Sequence, residues 1–383
     1  MMNELLKKAL VQLGAFVLAI QPLSVSAGTI PGSVEHQLDT RSGAGLHKVW
    51  LHENGNSYWY ENGVRQGVYG DPKNIRDTIY GVERGREIYD PGSNAWYWLD
   101  ANNNGAMARN KDVWLPYVFQ NERPGSSEGK WVRYDNNGSM LKGIQYSSKY
   151  KAWYYFDVTT GAMAKGWRKS STGGWAYYDL KSGKLKESDF QLNGILYKPM
   201  ANGSIGSTIH ANVPYYNQRD KRWSSYTLGS KSLGQSGCAV CVGTTILNYF
   251  AKRNVTPPDV ADLFHYWGDY NGAYGHGTDN GVWRKVAKKY NLSFKNNMSI
   301  ADVTEALTKG NMIVANVSSG NFVAYPDTHA ILLFNIDPRG RTYVYDPFNA
   351  NNNGWYDVTD VYRQGSSASI DLIDGGPFIS LGY

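Results

Sequence analysis

The sequence predicts a multidomain chain: a solenoid-like module of β-hairpin repeats, followed by an α+β domain. Two observations carry this expectation. An aromatic motif recurs from about Leu46 to Pro199, and near Asn212 it gives way to mixed helical and strand patterning. Composition agrees. Aromatics make up 14% of the 383 residues, with 29 Tyr, 13 Trp and 42 Gly, and only 19% are charged. That excludes an acidic disordered tail and a charge-rich helical protein.

The first 27 residues read as an export signal. Lys7 and Lys8 are followed by an apolar run from Ala9 to about Leu23, then by the small residues Val25-Ser26-Ala27. Gln12, Gln21 and Pro22 interrupt a run already short for a bilayer span of ~20 residues. No later segment is apolar enough to cross a membrane, so no span is expected after signal cleavage. Residues 28–45, rich in Gly, Ser and Thr, read as a linker.

The repeat occupies 46–199. Its core is an aromatic cluster, an Asp, a Gly turn and often a Met. Trp96-Tyr97-Trp98-Leu99-Asp100, Trp131-Val132-Arg133-Tyr134-Asp135, Trp153-Tyr154-Tyr155-Phe156-Asp157 and Trp175-Ala176-Tyr177-Tyr178-Asp179 are its instances, with Trp-to-Trp steps of 35, 22 and 22 residues. Gly105, Gly138, Gly161 and Gly183 follow, and then Met107, Met140 and Met163 in three copies. Tyr58-Trp59-Tyr60-Glu61-Asn62-Gly63 is a degenerate earlier copy. Period-two alternation gives each strand one apolar face, and Asp or Asn followed by Gly suits a tight hairpin turn. One hairpin is marginal alone, so stacked neighbours supply the core. The motif resembles the choline-binding and glucan-binding type of cell-wall repeat. That resemblance implies that a minority of aromatics stay exposed to stack on sugar rings or cage a quaternary ammonium. Trp153, Tyr155, Trp167 and Trp175 are the candidates, against a core-packing role for most of the rings.

Charge excludes a further class. Residues 28–200 hold 22 Lys and Arg against 18 Asp and Glu, and residues 201–383 hold 15 against 14. The net charge of +6 is diffuse, without the basic patch expected of a nucleic-acid binder. It suits an anionic bacterial wall.

After a second linker at 200–211, residues 212–383 form the α+β domain. Residues 240–252, 281–290 and 300–309 show helical spacing, the last with Ser299 as N-cap and Gly310 as stop. Residues 312–317, 329–336 and 341–346 are apolar, β-branched runs and read as strands.

Only two cysteines exist, Cys238 and Cys241, three residues apart and poorly placed to bridge. Ser236-Gly237 ends a loop and an apolar helix begins at Cys238. A thiol there meets the positive end of the helix dipole and unpaired N–H groups, which favour thiolate. His329 opens a strand, Asp337-Pro338-Arg339-Gly340 forms a hairpin turn, and the returning strand brings Asp346 back near His329. A nucleophile, a base and an orienting carboxylate are the groups that acyl transfer needs. His265 and His276 read as surface residues and Cys241 as packing. A zinc site is not expected, because a second close-spaced ligand pair is missing, and no cofactor is implied.

The segments Val213-Pro214-Tyr215 to Trp223, Ser236-Gly237-Cys238-Ala239-Val240, the His329 strand and Tyr345-Asp346-Pro347 resemble papain-like cysteine peptidases related to bacteriocin-processing (double-glycine leader) peptidases. The resemblance implies Cys238 as nucleophile, His329 as general base, Asp346 as orienter and Gln218 as the oxyanion-hole side chain, with Gln235 a rival for the last role. Two departures stand out: Ala239-Val240 where relatives often have Gly-Pro, and Cys241 where Thr is common. The expected function is a secreted, wall-associated cysteine peptidase cutting peptidoglycan peptides or a surface protein. The alternative is an adhesin or scaffold with an inactive peptidase-like domain. A transporter-bound leader peptidase is disfavoured, because the chain has an export signal and lacks a Gly-rich nucleotide loop.

Overall fold

The computed structural model describes residues 48–76, 82–116, 129–170, 173–227, 230–270, 277–323 and 328–383. The expected signal peptide, the linker at 28–45 and His276 lie outside the described residues. The chain divides into two compact units: the described residues up to Lys165 with Asp179–Leu185, and Gly166–Tyr178 with Lys186–Tyr383.

Among its described residues the first unit is built of β-strands, with one 3-10 turn at Ala101–Asn103. Its seven-stranded sheet takes in Lys48–Glu53, Asn56–Glu61, Glu83–Asp90 and Ala95–Asp100, so the degenerate copy is a strand like the others. Two-stranded hairpins follow: Lys111–Pro116 with Gly129–Tyr134, and Gly143–Ser147 with Ala152–Phe156. Alternation works as expected in Ala152–Phe156. Ala152, Tyr154 and Phe156 are buried, while Trp153 and Tyr155 lie half-buried on the other face.

One expectation is corrected. Asp100 to Gly105 and Asn62-Gly63 do join consecutive antiparallel strands, but in the Trp153 copy the Asp-to-Gly turn is not the turn that closes the two-stranded hairpin. Ser147 pairs with Ala152, so the hairpin closes at 148–151, upstream of the aromatic strand. The Asp-to-Gly turn instead leads out of that strand to a single bridge, Phe156 with Met163 or Tyr134 with Met140. The Asp side chain caps this turn: Asp157 Oδ1 accepts from the Thr159 and Thr160 N–H groups at 3.0 and 2.9 Å. The spacing that marks the repeat therefore records how one repeat returns onto the last. Met140, Met163 and Leu185 N–H donate to the carbonyls of Trp96, Trp131 and Trp153, at 2.8, 2.7 and 2.9 Å. Gly161 has φ +70°, and a Cβ there would fall 2.2 Å from Met140 Sδ. Gly and Met recur because Gly138, Gly161 and Gly183 each seat the preceding methionine.

The second unit opens with the last hairpin, Gly166–Lys169 with Trp175–Tyr178, and a three-stranded sheet of Phe190–Leu192, Ile195–Pro199 and Ile205–His210. The linker expected at 200–211 is thus corrected. Thr208 N–H donates to the Ile336 carbonyl at 3.0 Å, and His210 N–H to Asn335 Oδ1 at 2.6 Å. The polar Ile205-Gly206-Ser207-Thr208-Ile209-His210 run gave no apolar signal. Its buried side is nonetheless filled, with the His210 ring against Tyr249, Phe250 and Phe334. Burial pushes the His210 pKa down to about 3.

A six-stranded antiparallel sheet forms the rest, in the order Ser293–Lys295, Phe378–Gly382, Met312–Val317, His329–Phe334, Arg341–Tyr345, Gly354–Asp357. Both faces are covered, so Met312–Val317 and His329–Phe334 are buried throughout and read as unbroken apolar runs. One face, with Val314, Leu332 and Phe334, packs on helices Cys238–Tyr249, Pro257–Tyr266 and Val282–Tyr290. The other, with Ile313, Ile331 and Leu333, packs on Ile300–Thr308 and Val358–Arg363. Ser299 caps its helix as expected, accepting from Asp302 N–H. The Pro257–Tyr266 helix is not anticipated by apolar spacing. Its signal is the Thr256/Asp259 capping box with Pro257 at the first helical position.

Candidate active site

Four local choices in the chain converge on one spot. A short turn of helix, Leu233–Ser236, is closed by a capping box in which Ser232 N–H donates to Gln235 Oε1 at 3.0 Å. Gly237 then lets the chain turn tightly, since a Cβ there would meet the Leu233 carbonyl oxygen at 2.6 Å. The helix Cys238–Tyr249 starts at the candidate nucleophile. Cys238 is half-buried, and its sulfur receives the Ala239 and Ala330 N–H groups.

The His329 strand pairs with Arg341–Tyr345 in the register Leu332↔Tyr345, Phe334↔Tyr343. That register brings the Asp346 carboxylate to the imidazole: His329 Nε2 and Asp346 Oδ1 are 2.7 Å apart. The ring also makes a hydrogen bond with the Cys238 side chain. With Nε2 taken by Asp346, Nδ1 serves the sulfur. All three sequence-derived groups therefore meet.

The electrostatics follow from these contacts. Burial would raise the Cys238 pKa, but the His329 hydrogen bond and the two backbone N–H groups outweigh it and hold the thiol below its ordinary value. Burial would depress His329. Its bonds to Asp346 and Cys238 prevail and lift it to about 9. Burial would likewise raise Asp346, which is fully enclosed. His329, Asn352 and the Phe348 N–H overcome this and keep it below the usual carboxylate range. Each partner favours the charged form of the next, which describes a thiolate–imidazolium pair braced by a carboxylate. Cys241, one helical turn on, is buried, and burial pushes its thiol up.

Gln218 is buried close by. Its N–H donates to the Pro347 carbonyl at 2.8 Å and its Nε2 to the Gly234 carbonyl at 3.1 Å. It thus ties the turn after Asp346 to the turn before Cys238. One amide hydrogen remains to donate. Gln235, the rival, is exposed and turned back onto Ser232. His265 is exposed.

The sequence reading missed two contributors, Asn352 and Phe348. Asn352 Nδ2 donates to Asp346 Oδ2 at 2.7 Å, and Phe348 N–H to Oδ1 at 2.8 Å. The Phe348 ring meets the His329 ring edge-on, with centroids 6.1 Å apart. The Arg219 guanidinium lies 3.5 Å from the Phe348 centroid. The run from Phe348 to Asn353 carries no periodicity, and only its Asn content hinted at a structured turn.

The aromatic candidates separate. Trp153 and Tyr155 share the half-buried face of their strand, with Tyr146 5.2 Å from Trp153. Trp167 belongs instead to an aromatic cluster, 5.0 Å from Tyr177 and 5.2 Å from Tyr197. Trp175 carries the Lys309 ammonium 3.6 Å from its ring centroid, so one cation of the chain already sits on that ring. The more exposed first tryptophans are Trp96 and Trp131, which the sequence reading passed over.

Comparison with known proteins gives the same division. Residues 210–369 match the Peptidase_C39 like family, and 126–165 and 151–190 match the choline-binding repeat. No curated protein matches the chain. Solved structures that resemble it include CbpJ from Streptococcus pneumoniae TIGR4, at 28% identity over 42% of this chain and 52% of that one, TM-score 0.25. Choline binding protein F from Streptococcus pneumoniae, solved with a peptidoglycan analogue, matches at 27% over 41% and 51%, TM-score 0.24. The Cpl-1 endolysin, also complexed with a peptidoglycan analogue, matches at 23% over 35% and 34%, TM-score 0.23. The chain spans about half the length of the first two. This protein joins choline-binding repeats to a Peptidase_C39-like domain.

Proposed function

We propose that this chain is an exported cysteine peptidase held at the bacterial cell wall by its repeats, and that it hydrolyses amide bonds in peptidoglycan peptides or in a surface protein. One observation carries the reading: the sulfur at the mouth of a helix, hydrogen-bonded to an imidazole whose other nitrogen is 2.7 Å from a buried carboxylate. In this mechanism His329 holds the Cys238 proton, and the thiolate attacks the amide carbonyl. The spare Gln218 amide hydrogen and backbone N–H at the helix start stabilise the oxyanion. The imidazolium protonates the leaving amine. Water, deprotonated by His329, releases the acyl group as acid and restores the thiolate–imidazolium pair. Asp346 fixes the ring and stabilises its charge.

Wall attachment is assigned to the repeats, supported by the family match at 126–190. Trp153 and Tyr155 offer the half-buried face for a quaternary ammonium or sugar ring. Trp175 joins them only if its ring faces a ligand on the side away from Lys309. The regular bonds from Met140, Met163 and Leu185 back to the preceding tryptophans support a solenoid-like continuation of the stack.

The test is digestion of purified peptidoglycan by the wild type and by Cys238→Ala, with mass analysis of the soluble fragments. Wild type should release fragments with new peptide termini, and Cys238→Ala none, while both sediment equally with the walls. Equal release by both would remove Cys238 from the chemistry. Sedimentation without release by either would leave the non-catalytic adhesin.

A further inference from the structure

The turn beside the candidate site carries an unbalanced charge held in a fixed place. In Arg219-Asp220-Lys221-Arg222, the Asp220 carboxylate is taken by Arg222, at 2.7 Å. Arg219 has no carboxylate within 4.0 Å among the described residues, and its guanidinium donates no hydrogen bond to them. An exposed arginine ordinarily sweeps through solvent. This one is parked on an aromatic face, 3.5 Å from the Phe348 centroid. That contact costs side-chain entropy, and it leaves the N–H fork of this exposed residue without a partner among the described residues.

The platform is itself part of the site. Phe348 N–H donates to Asp346 Oδ1, and its ring meets the His329 ring. Arg219 also directly follows Gln218, whose amide ties the turns around Cys238. The guanidinium is thus one aromatic ring from the imidazole and one residue from the proposed oxyanion donor. A planar fork of N–H donors recognises carboxylates in a paired geometry that a lysine cannot copy.

We propose that Arg219, seated on Phe348, selects a substrate carrying a carboxylate beside the scissile amide, so that the peptidase acts on acidic peptides. This rests on the peptidase reading and specifies its substrate class.

Two small alkylating reagents test it on the full-length protein. Iodoacetate carries a carboxylate and iodoacetamide does not, and both react with the same Cys238 sulfur. Arg219→Ala should leave the iodoacetamide rate unchanged and lower the iodoacetate-to-iodoacetamide ratio about fivefold, the upper range for an exposed ion pair. High salt should erase the difference between wild type and variant. An unchanged ratio, or an equal loss with both reagents, would overturn the assignment. Absence of hydrolysis on every wall substrate would sink the peptidase reading instead, and the reagent ratio would still decide whether Arg219 recruits carboxylates to this sulfur.

Discussion

The repeats and the C-terminal domain solve the same problem, the burial of apolar surface, in opposite ways. In the repeats each apolar cluster is small and local. Ala152, Tyr154 and Phe156 form one with Leu141 and Met163, and Trp98, Val113, Leu115, Val132 and Tyr134 lie in another. The links between copies include single backbone bonds, methionines seated on glycines, and side-chain contacts such as Tyr134 to Glu87 and Lys130 to the Thr160 carbonyl. In the C-terminal domain one sheet is buried on both faces, and each face makes a continuous core drawn from segments far apart in sequence. A serial arrangement tolerates variation and repeats its surface, as suits binding to a polymer. A single cooperative core holds three distant side chains at hydrogen-bond distance, as chemistry requires.

Deleting core atoms should separate the two regions most sharply. Leu332→Ala and Phe156→Ala each remove a fully buried side chain, at a cost of about 2–5 kcal/mol. Leu332→Ala should lower the thermal transition of the C-terminal domain and abolish peptide release. Phe156→Ala should lower only the repeat transition and weaken sedimentation with walls. Calorimetry on the full chain checks both, and one shared transition, shifted alike by both changes, would contradict the contrast. A smaller effect is expected at the repeat junctions. Gly161→Ala puts a Cβ at positive φ and against Met140 Sδ, so it should cost about 1–2 kcal/mol from the left-handed backbone alone. It should register in the repeat transition and leave hydrolysis untouched.

The same contrast explains what was legible in the sequence. Cys238, His329 and Asp346 were readable because each marks a local boundary: a helix start, a strand start and the end of the returning strand. The hairpin spacing then set the pairing. The repeat period was readable for the same reason, as chain-local pattern. Its meaning was misplaced, because the hairpin turn at 148–151 has no glycine while the return turn at Asp157 to Gly161 has the obvious one. The Ile205–His210 strand was missed because its polar run carries no clear apolar alternation, although its ladder partner, Ile195–Pro199, lies close in sequence. Asn352 and Phe348 act through a turn and a ring face, which leave no periodic trace. The candidate binding aromatics resisted sequence reading most, because Trp153 and Trp175 occupy the same motif position yet Trp175 carries the Lys309 ammonium over its ring.

The claim on which the chemistry depends is that Cys238 is held as a thiolate by His329 and Asp346. It is measured directly by the rate of Cys238 alkylation with iodoacetamide as pH falls, using Cys238→Ala to subtract any reaction at Cys241. The Cys238 pKa is lowered and that of His329 raised to about 9. Wild type should therefore stay reactive well below the ordinary thiol range near pH 8.5, while His329→Ala loses reactivity as pH drops through that range. Identical profiles for the two proteins, both rising only through the ordinary thiol range, would contradict it.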